Sequence, residues 1–231
     1  MKRVGFVLIL AGLASIAQAA EWTNEIELGA VVTTGNTEEQ NLKLRVDSVR
    51  ELDQWRHHVH LDNLRSSKDN ETTAQKLYAF YQADYKLDED RSVFGRVAYD
   101  DDRFSGFNYQ ADITAGYSQT IFANTTMRLS GDAGVGMRLT EVTTGDRDEE
   151  GILRLAGKYV WEVSDNASFQ QLLSTEIGND STISRSDTSI KANINGSLSM
   201  KLALVVKHNS AVPVDRKATD TETSVTLVYG F

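Results

Sequence analysis

The chain ends on the stretch TETSVTLVYGF, residues 221–231, whose side chains alternate in character. Val225, Leu227, Tyr229 and Phe231 share one face of an extended chain, and the residues between them are small or polar apart from one valine. Alternation with a period of two predicts a β-strand with one apolar face. Chain ends are commonly polar and frayed in soluble proteins. A strand that stops on a large aromatic residue therefore predicts that something other than water covers this face.

The same alternation recurs along most of the chain. It is clearest in YQADITAGY (109–117), MRLSGDAGVGMRL (127–139) and LRLAGKYVW (153–161), and no segment has the pattern of a long amphipathic helix. The segments reach the roughly 9–11 residues that a tilted membrane strand needs, and they exceed the 5–6 residues typical of soluble sheets. We predict about twelve strands, at 22–33, 39–50, 55–65, 72–87, 91–100, 107–121, 126–140, 150–163, 167–178, 184–195, 200–210 and 219–231.

The segments between the predicted strands alternate in length. Short turns such as ELDQ, LDED and NGSL follow every second strand, and longer polar runs such as TTGDRDEE, GNDSTISR and AVPVDRKA separate most of the others. This is the pattern of an outer-membrane barrel with both chain ends in the periplasm. We therefore predict an all-β fold, a single closed antiparallel transmembrane β-barrel of about 12 strands with short periplasmic turns and longer extracellular loops. Ten or fourteen strands, or a periplasmic β-sandwich, are the alternatives.

The first stretch, MKRVGFVLILAGLASIAQAA, has the three parts of an export signal: two basic residues, a short apolar core and the small residues AQA. We expect residues 1–19 to be a signal peptide, exported through the Sec pathway and cleaved, and residues 20–231 to form the barrel. The apolar run is too short for a transmembrane helix. The formal net charge of −9 argues against a nucleic-acid partner, and the absence of cysteine excludes disulfides and thiolate sites.

The opposite face of the predicted strands is charged with both signs. Charged residues that face each other across strands are expected to form ion pairs inside the barrel. Barrels of about eight strands are filled by side chains and those of 16–18 leave a channel, so twelve lies between a narrow pore and a plugged barrel. The candidates predicted to line the lumen are Arg45, Arg56, Arg96, Asp112, Arg128, Asp132, Arg138, Arg154 and Lys158.

The stretch HNS (208–210) is the only catalytic candidate in the sequence. His208 and Ser210 share a face, as in outer-membrane lipid hydrolases that activate a serine with a histidine. The sequence assigns no third member to orient the histidine, and Asp220 and Thr221 are the nearby candidates. We expect no enzyme activity, and keep a lipid hydrolase as an alternative.

The stretch HHVH (57–60) suggests a metal site. On a strand, His58 and His60 share a face, but two ligands leave a zinc site incomplete. We expect this pair to be hydrogen-bonded with Asp62. The acidic runs DDD (100–102) and DRDEE (146–150) lack the spacing of a calcium loop and are expected to be solvated loops. We therefore predict neither a metal site nor a cofactor.

Three stretches carry a resemblance to a known family: LGAVVTTGNT (28–37), RLSGDAGVGMRLTE (128–141) and HNSAVPVDRKATDTETSVTLVYGF (208–231). They resemble the salt-induced outer-membrane proteins, whose barrel domain has no known function. The resemblance implies a Gram-negative outer-membrane barrel without established catalytic residues, ligand or cofactor. The C-terminal strand with Val225, Leu227, Tyr229 and Phe231 is similar to the signal that the barrel-assembly machinery recognises.

The expected partners are outer-membrane lipid and lipopolysaccharide together with that machinery, and the oligomeric state stays open. We predict a narrow, non-enzymatic pore for small solutes or ions, linked by the family name to salt stress. The alternatives are a hydrolase at His208 and Ser210 and a plugged structural barrel.

Overall fold

The computed structural model describes residues 22–34, 40–68, 71–102 and 105–231. The predicted signal peptide, residues 1–19, lies outside this part of the chain. The strands are β1 (Trp22–Thr34), β2 (Gln40–Glu51), β3 (Trp55–Lys68), β4 (Glu71–Lys86), β5 (Arg91–Asp102), β6 (Phe107–Ala123), β7 (Met127–Val142), β8 (Arg147–Ser164), β9 (Ala167–Gly178), β10 (Thr182–Asn193), β11 (Leu198–Asn209) and β12 (Thr219–Gly230).

The twelve strands form one closed antiparallel barrel in which each strand pairs with its neighbours in sequence, and β1 pairs with β12. The prediction of a closed barrel with about twelve strands is confirmed. Leu28 lies opposite Leu227 at the closure, and the N–H and C=O groups of Phe231 are both hydrogen-bonded to the Asn24 backbone, at 3.0 and 3.1 Å. Closure leaves no unpaired sheet edge, which is what a strand structure requires in lipid.

None of the described residues belongs to a helix that is long and apolar enough to cross a membrane.

The barrel has an apolar outside and a polar inside. On β12, Val225, Leu227 and Tyr229 are half-exposed, whereas Ser224, Thr226 and Val228, which alternate with them, are buried. The same division holds around the barrel, and these large apolar side chains are exposed on the outer face: Leu28, Leu42, Val97, Ile113, Val135, Leu153, Leu173, Ile190 and Leu202. A protein surface this apolar is suited to lipid rather than to water.

Both ends of the described chain and the short connections lie at one end of the barrel, which we call the turn end. Side chains close three of these turns: Asp88, Asn124 and Asn195 accept hydrogen bonds from backbone N–H groups two and three residues further on. Arg91 donates to Asp88 as well, and this bond together with the backbone bonds lowers the pKa of Asp88. Such turns favour asparagine and aspartate. The Asn195 turn also shifts the predicted boundaries, because β11 starts at Leu198 rather than at residue 200.

The opposite end, the loop end, has shorter connections than the sequence indicates. Strand pairing continues into the polar runs, so that β8 already begins at Arg147 and β10 at Thr182. Residues 210–218 form the longest connection in the described part of the chain, and we call them the mouth loop. A Cβ atom built on Gly106, which has φ +89°, would lie 2.9 Å from Pro213 of this loop. Gly106 directly precedes β6, and β6 lies on the opposite wall of the barrel from β12, which follows the mouth loop. The contact with Gly106 therefore means that the mouth loop spans the opening.

Glycines on the inner face let β6 and β7 approach closely. A Cβ atom on Gly136 would lie 2.0 Å from the carbonyl oxygen of Ile113, and one on Gly116 would lie 2.2 Å from that of Ala133. No side chain fits at such distances, which explains Gly136 in the stretch GDAGVG and Gly116 on the neighbouring strand.

Candidate functional site

A group of side chains joins opposite walls of the barrel near its loop end. Asp100 on β5 accepts hydrogen bonds from Arg185 on β10 at 2.8 Å and from Lys207 on β11 at 2.7 Å. The Arg185 guanidinium also lies 4.1 Å from the ring centre of Tyr78 on β4. Strands β5 and β11 are six positions apart among twelve, as are β4 and β10. We call Tyr78, Asp100, Arg185 and Lys207 the Asp100 bridge.

Arg138 anchors a second network near this bridge. Its side chain is 1% exposed and donates two hydrogen bonds to Glu150 on β8, the shorter at 2.6 Å. It also lies 3.7 Å from Glu176 on β9 and donates to the Ser181 carbonyl at 2.8 Å. A buried arginine held by two carboxylates and a carbonyl is fixed in place, because several charge-assisted hydrogen bonds define its position.

Arg96 connects the second network to the Asp100 bridge. It forms an ion pair with Asp112 at 2.8 Å and lies 4.0 Å from Glu176. Its other terminal nitrogen donates to the Tyr78 hydroxyl at 2.7 Å. The two networks therefore form one continuous layer of polar side chains across the lumen.

A third network lines the wall formed by β2, β3 and β12. Lys43, which is 1% exposed, pairs with Asp62 at 3.1 Å and with Glu222. Arg45 pairs with Asp62 at 2.7 Å and reaches Asp187 on β10 at 3.1 Å. Lysine and arginine side chains are long enough to cross between non-adjacent strands, so the sheet curvature brings these charges together.

The inner side chains differ in exposure, and the turn end has buried ones, such as Asp84, Phe94 and Val228, beside exposed ones. Asp47, His58 and Lys158 are all partly or fully exposed, whereas Lys43 and Arg138 near the loop end are buried. A cavity lined in part by residues of the Asp100 bridge and the Arg138 network has room for about one or two water molecules. The lumen is therefore constricted around this cavity.

The predicted lumen residues lie in different surroundings. Arg45, Arg96, Asp112 and Arg138 belong to the networks above, and Arg154 is buried with its Cα opposite that of Glu176. The remaining four lie toward the turn end: Asp132 accepts a hydrogen bond from Ser118 at 2.7 Å, Lys158 is exposed, Arg56 pairs with Glu51 at the rim, and Arg128 is exposed at the rim.

The acidic runs are only in part the solvated loops that the sequence analysis predicted, because residues 146–149 are exposed but several other carboxylates are paired. Asp100 lies in the Asp100 bridge, Asp102 pairs with Lys76 at 3.0 Å, and Glu150 pairs with Arg138. For these carboxylates the prediction is wrong because β5 extends to Asp102 and β8 begins before Glu150, so that strand alternation turns them inward.

The histidines on β3 have a different acidic partner from the one predicted. Asp62 is occupied by Arg45 and Lys43, so the predicted hydrogen bond with Asp62 is wrong. Instead, Asp47 on β2 accepts contacts from His58 Nε2 at 3.1 Å and from His60 Nδ1 at 2.9 Å through the same oxygen.

The hydrolase candidate is not assembled in this structure. His208 Nδ1 contacts the Thr219 hydroxyl at 2.9 Å, and Ser210 accepts a hydrogen bond from the Thr182 backbone N–H at 2.8 Å. Thr219, and not Asp220 or Thr221, lies opposite His208 on β12. A serine that already serves as a backbone acceptor and has no bond to the histidine lacks the activation that acyl transfer needs.

Comparison with solved structures places the fold among outer-membrane barrels. The NanC porin has a TM-score of 0.61 at 9% identity, covering 88% of this chain and 98% of the porin. The translocator domain of the autotransporter NalP from Neisseria meningitidis has a TM-score of 0.55 at 10% identity, covering 93% and 90%. An outer-membrane channel from Pseudomonas putida F1 has a TM-score of 0.53 at 15% identity, covering 93% and 97%. These likenesses show the fold.

Comparison by sequence gives the family. The uncharacterized protein YdiY of Escherichia coli K12 is 24% identical over an alignment of 253 residues, gaps included. The alignment covers 99% of this chain and 98% of the relative. The family model described as "protein of unknown function, DUF481" matches residues 26–231. The resemblance to a family of barrels with unknown function is thus confirmed, and the chain belongs to the DUF481 family.

Proposed function

We propose that this protein is a narrow, non-enzymatic channel for small ions and solutes in a Gram-negative outer membrane. The observation that carries the proposal is the Asp100 bridge, because this constriction of the charged lumen is made of side chains and not of backbone. Side chains change rotamers quickly, whereas a plug of folded backbone does not. At the Asp100 bridge itself, a local rearrangement of Arg185 and Lys207 makes room for a small hydrated ion.

The mixed charge of the lumen supports weak selectivity. Rings of one sign make a pore selective for ions of the other sign, but here every network combines acids with bases. Both ion classes find a partner along the path, and neither meets an uninterrupted barrier of its own sign.

In this proposal the turn end lies in the periplasm and the mouth loop faces outward. The apolar outer face contacts lipid and, at the loop end, lipopolysaccharide. Export through the Sec pathway, with cleavage of residues 1–19, precedes insertion by the barrel-assembly machinery, which recognises the C-terminal strand. Because the chain resembles salt-induced outer-membrane proteins, we expect the passage of small ions to matter most during growth at high salt.

A plugged structural barrel is the second candidate, and the mouth loop favours it. Residues 210–218 span the opening above the Asp100 bridge, so that two layers obstruct the same path. The hydrolase at His208 and Ser210 has no comparable support.

Solute entry into proteoliposomes distinguishes the channel from the plugged barrel. Vesicles that contain the folded protein are expected to admit potassium chloride and glycine and to exclude a trisaccharide, because the constriction passes only small solutes. Light scattering after osmotic shock measures this entry, and protein-free vesicles are the control. Vesicles with folded barrel, verified by its heat-modifiable gel band, that admit none of these solutes would favour the plugged barrel.

A further inference from the structure

Three metal-ligating side chains meet on the inner face of β2 and β3, apart from the Asp100 bridge. Asp47 and His60 are directly opposite each other in the β2–β3 pairing, and His58 lies on the same face two residues away. One ligand atom from each side chain lies within 4.8 Å of the other two. We call these residues the histidine cluster.

The orientation of the two imidazoles is fixed by an aromatic neighbour. The His60 ring stacks on Phe80 with centroids 5.0 Å apart and planes 12° apart, and the His58 ring meets Phe80 edge-on at 4.8 Å. Both ring nitrogens that face Asp47 are held by a paired hairpin rather than by a loop. Ligands that are oriented in advance lose little entropy when they bind an ion.

The cluster also has room for further ligands. The side chains of Asp47, His58 and His60 are 29%, 28% and 12% exposed, so all three are accessible to water. Two imidazole nitrogens and one carboxylate oxygen form a three-ligand protein set with open positions for water. Binding requires the proton on each coordinating nitrogen to move to the other ring nitrogen or to leave, because only a lone pair coordinates.

We propose that Asp47, His58 and His60 bind a divalent first-row transition metal, with Zn²⁺ as the representative ion, inside the lumen. The site does not depend on conduction, since a plugged barrel would contain the same cluster. Cationic neighbours, Arg45 on β2 and Lys158 on the opposite wall, interact with Asp47 and limit the affinity.

Titration of the tag-free folded barrel with zinc chloride, after treatment with a chelator, tests the site by calorimetry. We expect one ion per barrel and a loss of affinity of at least about tenfold in His58→Ala, His60→Ala and Asp47→Asn. The chain offers two matched controls. His57 precedes His58 but contacts Tyr81 on the outer face, and His208 lies on β11. Affinity is expected to be unchanged in His57→Ala and His208→Ala.

Chemical modification gives a second measurement that needs no variant. Zn²⁺ is expected to protect His58 and His60, and not His57 or His208, from diethylpyrocarbonate, as read by mass spectrometry. The proposal is overturned if the wild-type barrel binds no zinc, if the His58→Ala/His60→Ala double variant binds it equally well, or if the ion protects neither histidine.

Discussion

Replacing Asp100 by alanine is expected to raise the conductance of the barrel severalfold and to make it selective for anions. Asp100 is the one acid in the Asp100 bridge, and both Arg185 and Lys207 are bonded to it. Without it the formal charge of the three ionic groups changes from +1 to +2. The two cations then repel each other and move apart, so that the constriction widens as its charge becomes positive.

Planar-bilayer recordings of Asp100→Ala under a potassium chloride gradient measure both effects, with the reversal potential shifted toward that of chloride. Arg128→Ala is the matched control, because Arg128 lies at the turn-end rim, where its guanidinium makes a long contact of 3.5 Å to the Thr120 hydroxyl. Loss of a lumen charge at that position is expected to change conductance little. Equal effects of the two variants would contradict the assignment of the constriction to Asp100.

Deletion of Phe231 is expected to remove most of the folded barrel from outer-membrane fractions. The residue contributes two backbone hydrogen bonds to the barrel closure, each worth about 1 kcal/mol. Its ring stacks on Tyr229 at 5.7 Å on the apolar outer face, and its transfer from water contributes about 1.5 kcal/mol. A loss of the order of 3 kcal/mol at the point of closure is large beside the net stability of a typical protein.

Two further variants separate the causes of this loss. Phe231→Ala keeps the backbone bonds and is expected to lower the heat-modifiable band less than the deletion does. Val214→Ala removes an apolar side chain that is 89% exposed in the mouth loop, and it is expected to have no effect. If the deletion folds with the yield of the wild type, the assembly role proposed for the terminal strand is wrong.

The barrel itself could be predicted from the sequence, because one face of each strand meets lipid and the other meets the lumen. The twelve predicted strands all correspond to strands of the structure, and their boundaries differ by at most three residues. The largest errors lie at the loop end. There, polar runs such as DRDEE continue the strand pairing, and composition alone does not distinguish a loop from a strand that extends beyond the membrane.

The Asp100 bridge could not be predicted in the same way. Alternation places Asp100, Arg185 and Lys207 on inner faces, but Lys207 and Asp100 are separated by 107 residues. Which inner charges meet across the lumen depends on the stagger of the strands and the curvature of the barrel. Neither quantity is encoded in a local pattern.

The histidine cluster did have a signal in the sequence. The turn after β2 pairs Glu51 with Arg56, and counting back along this hairpin places Asp47 opposite His60. Asp62, the predicted partner, lies on β3 with the histidines, whereas the acid that contacts them, Asp47, lies on the neighbouring strand β2.

Single-channel recording of the wild-type barrel tests the central claim most directly, because it asks whether ions cross the Asp100 bridge at all. The protein is expected to give small, discrete conductance steps with weak preference between potassium and chloride. Heat-unfolded protein, added to the same bilayer, is expected to give none. Bilayers that stay silent with barrel shown to be folded, for both the wild type and Asp100→Ala, would contradict the channel and leave the plugged structural barrel as the better account.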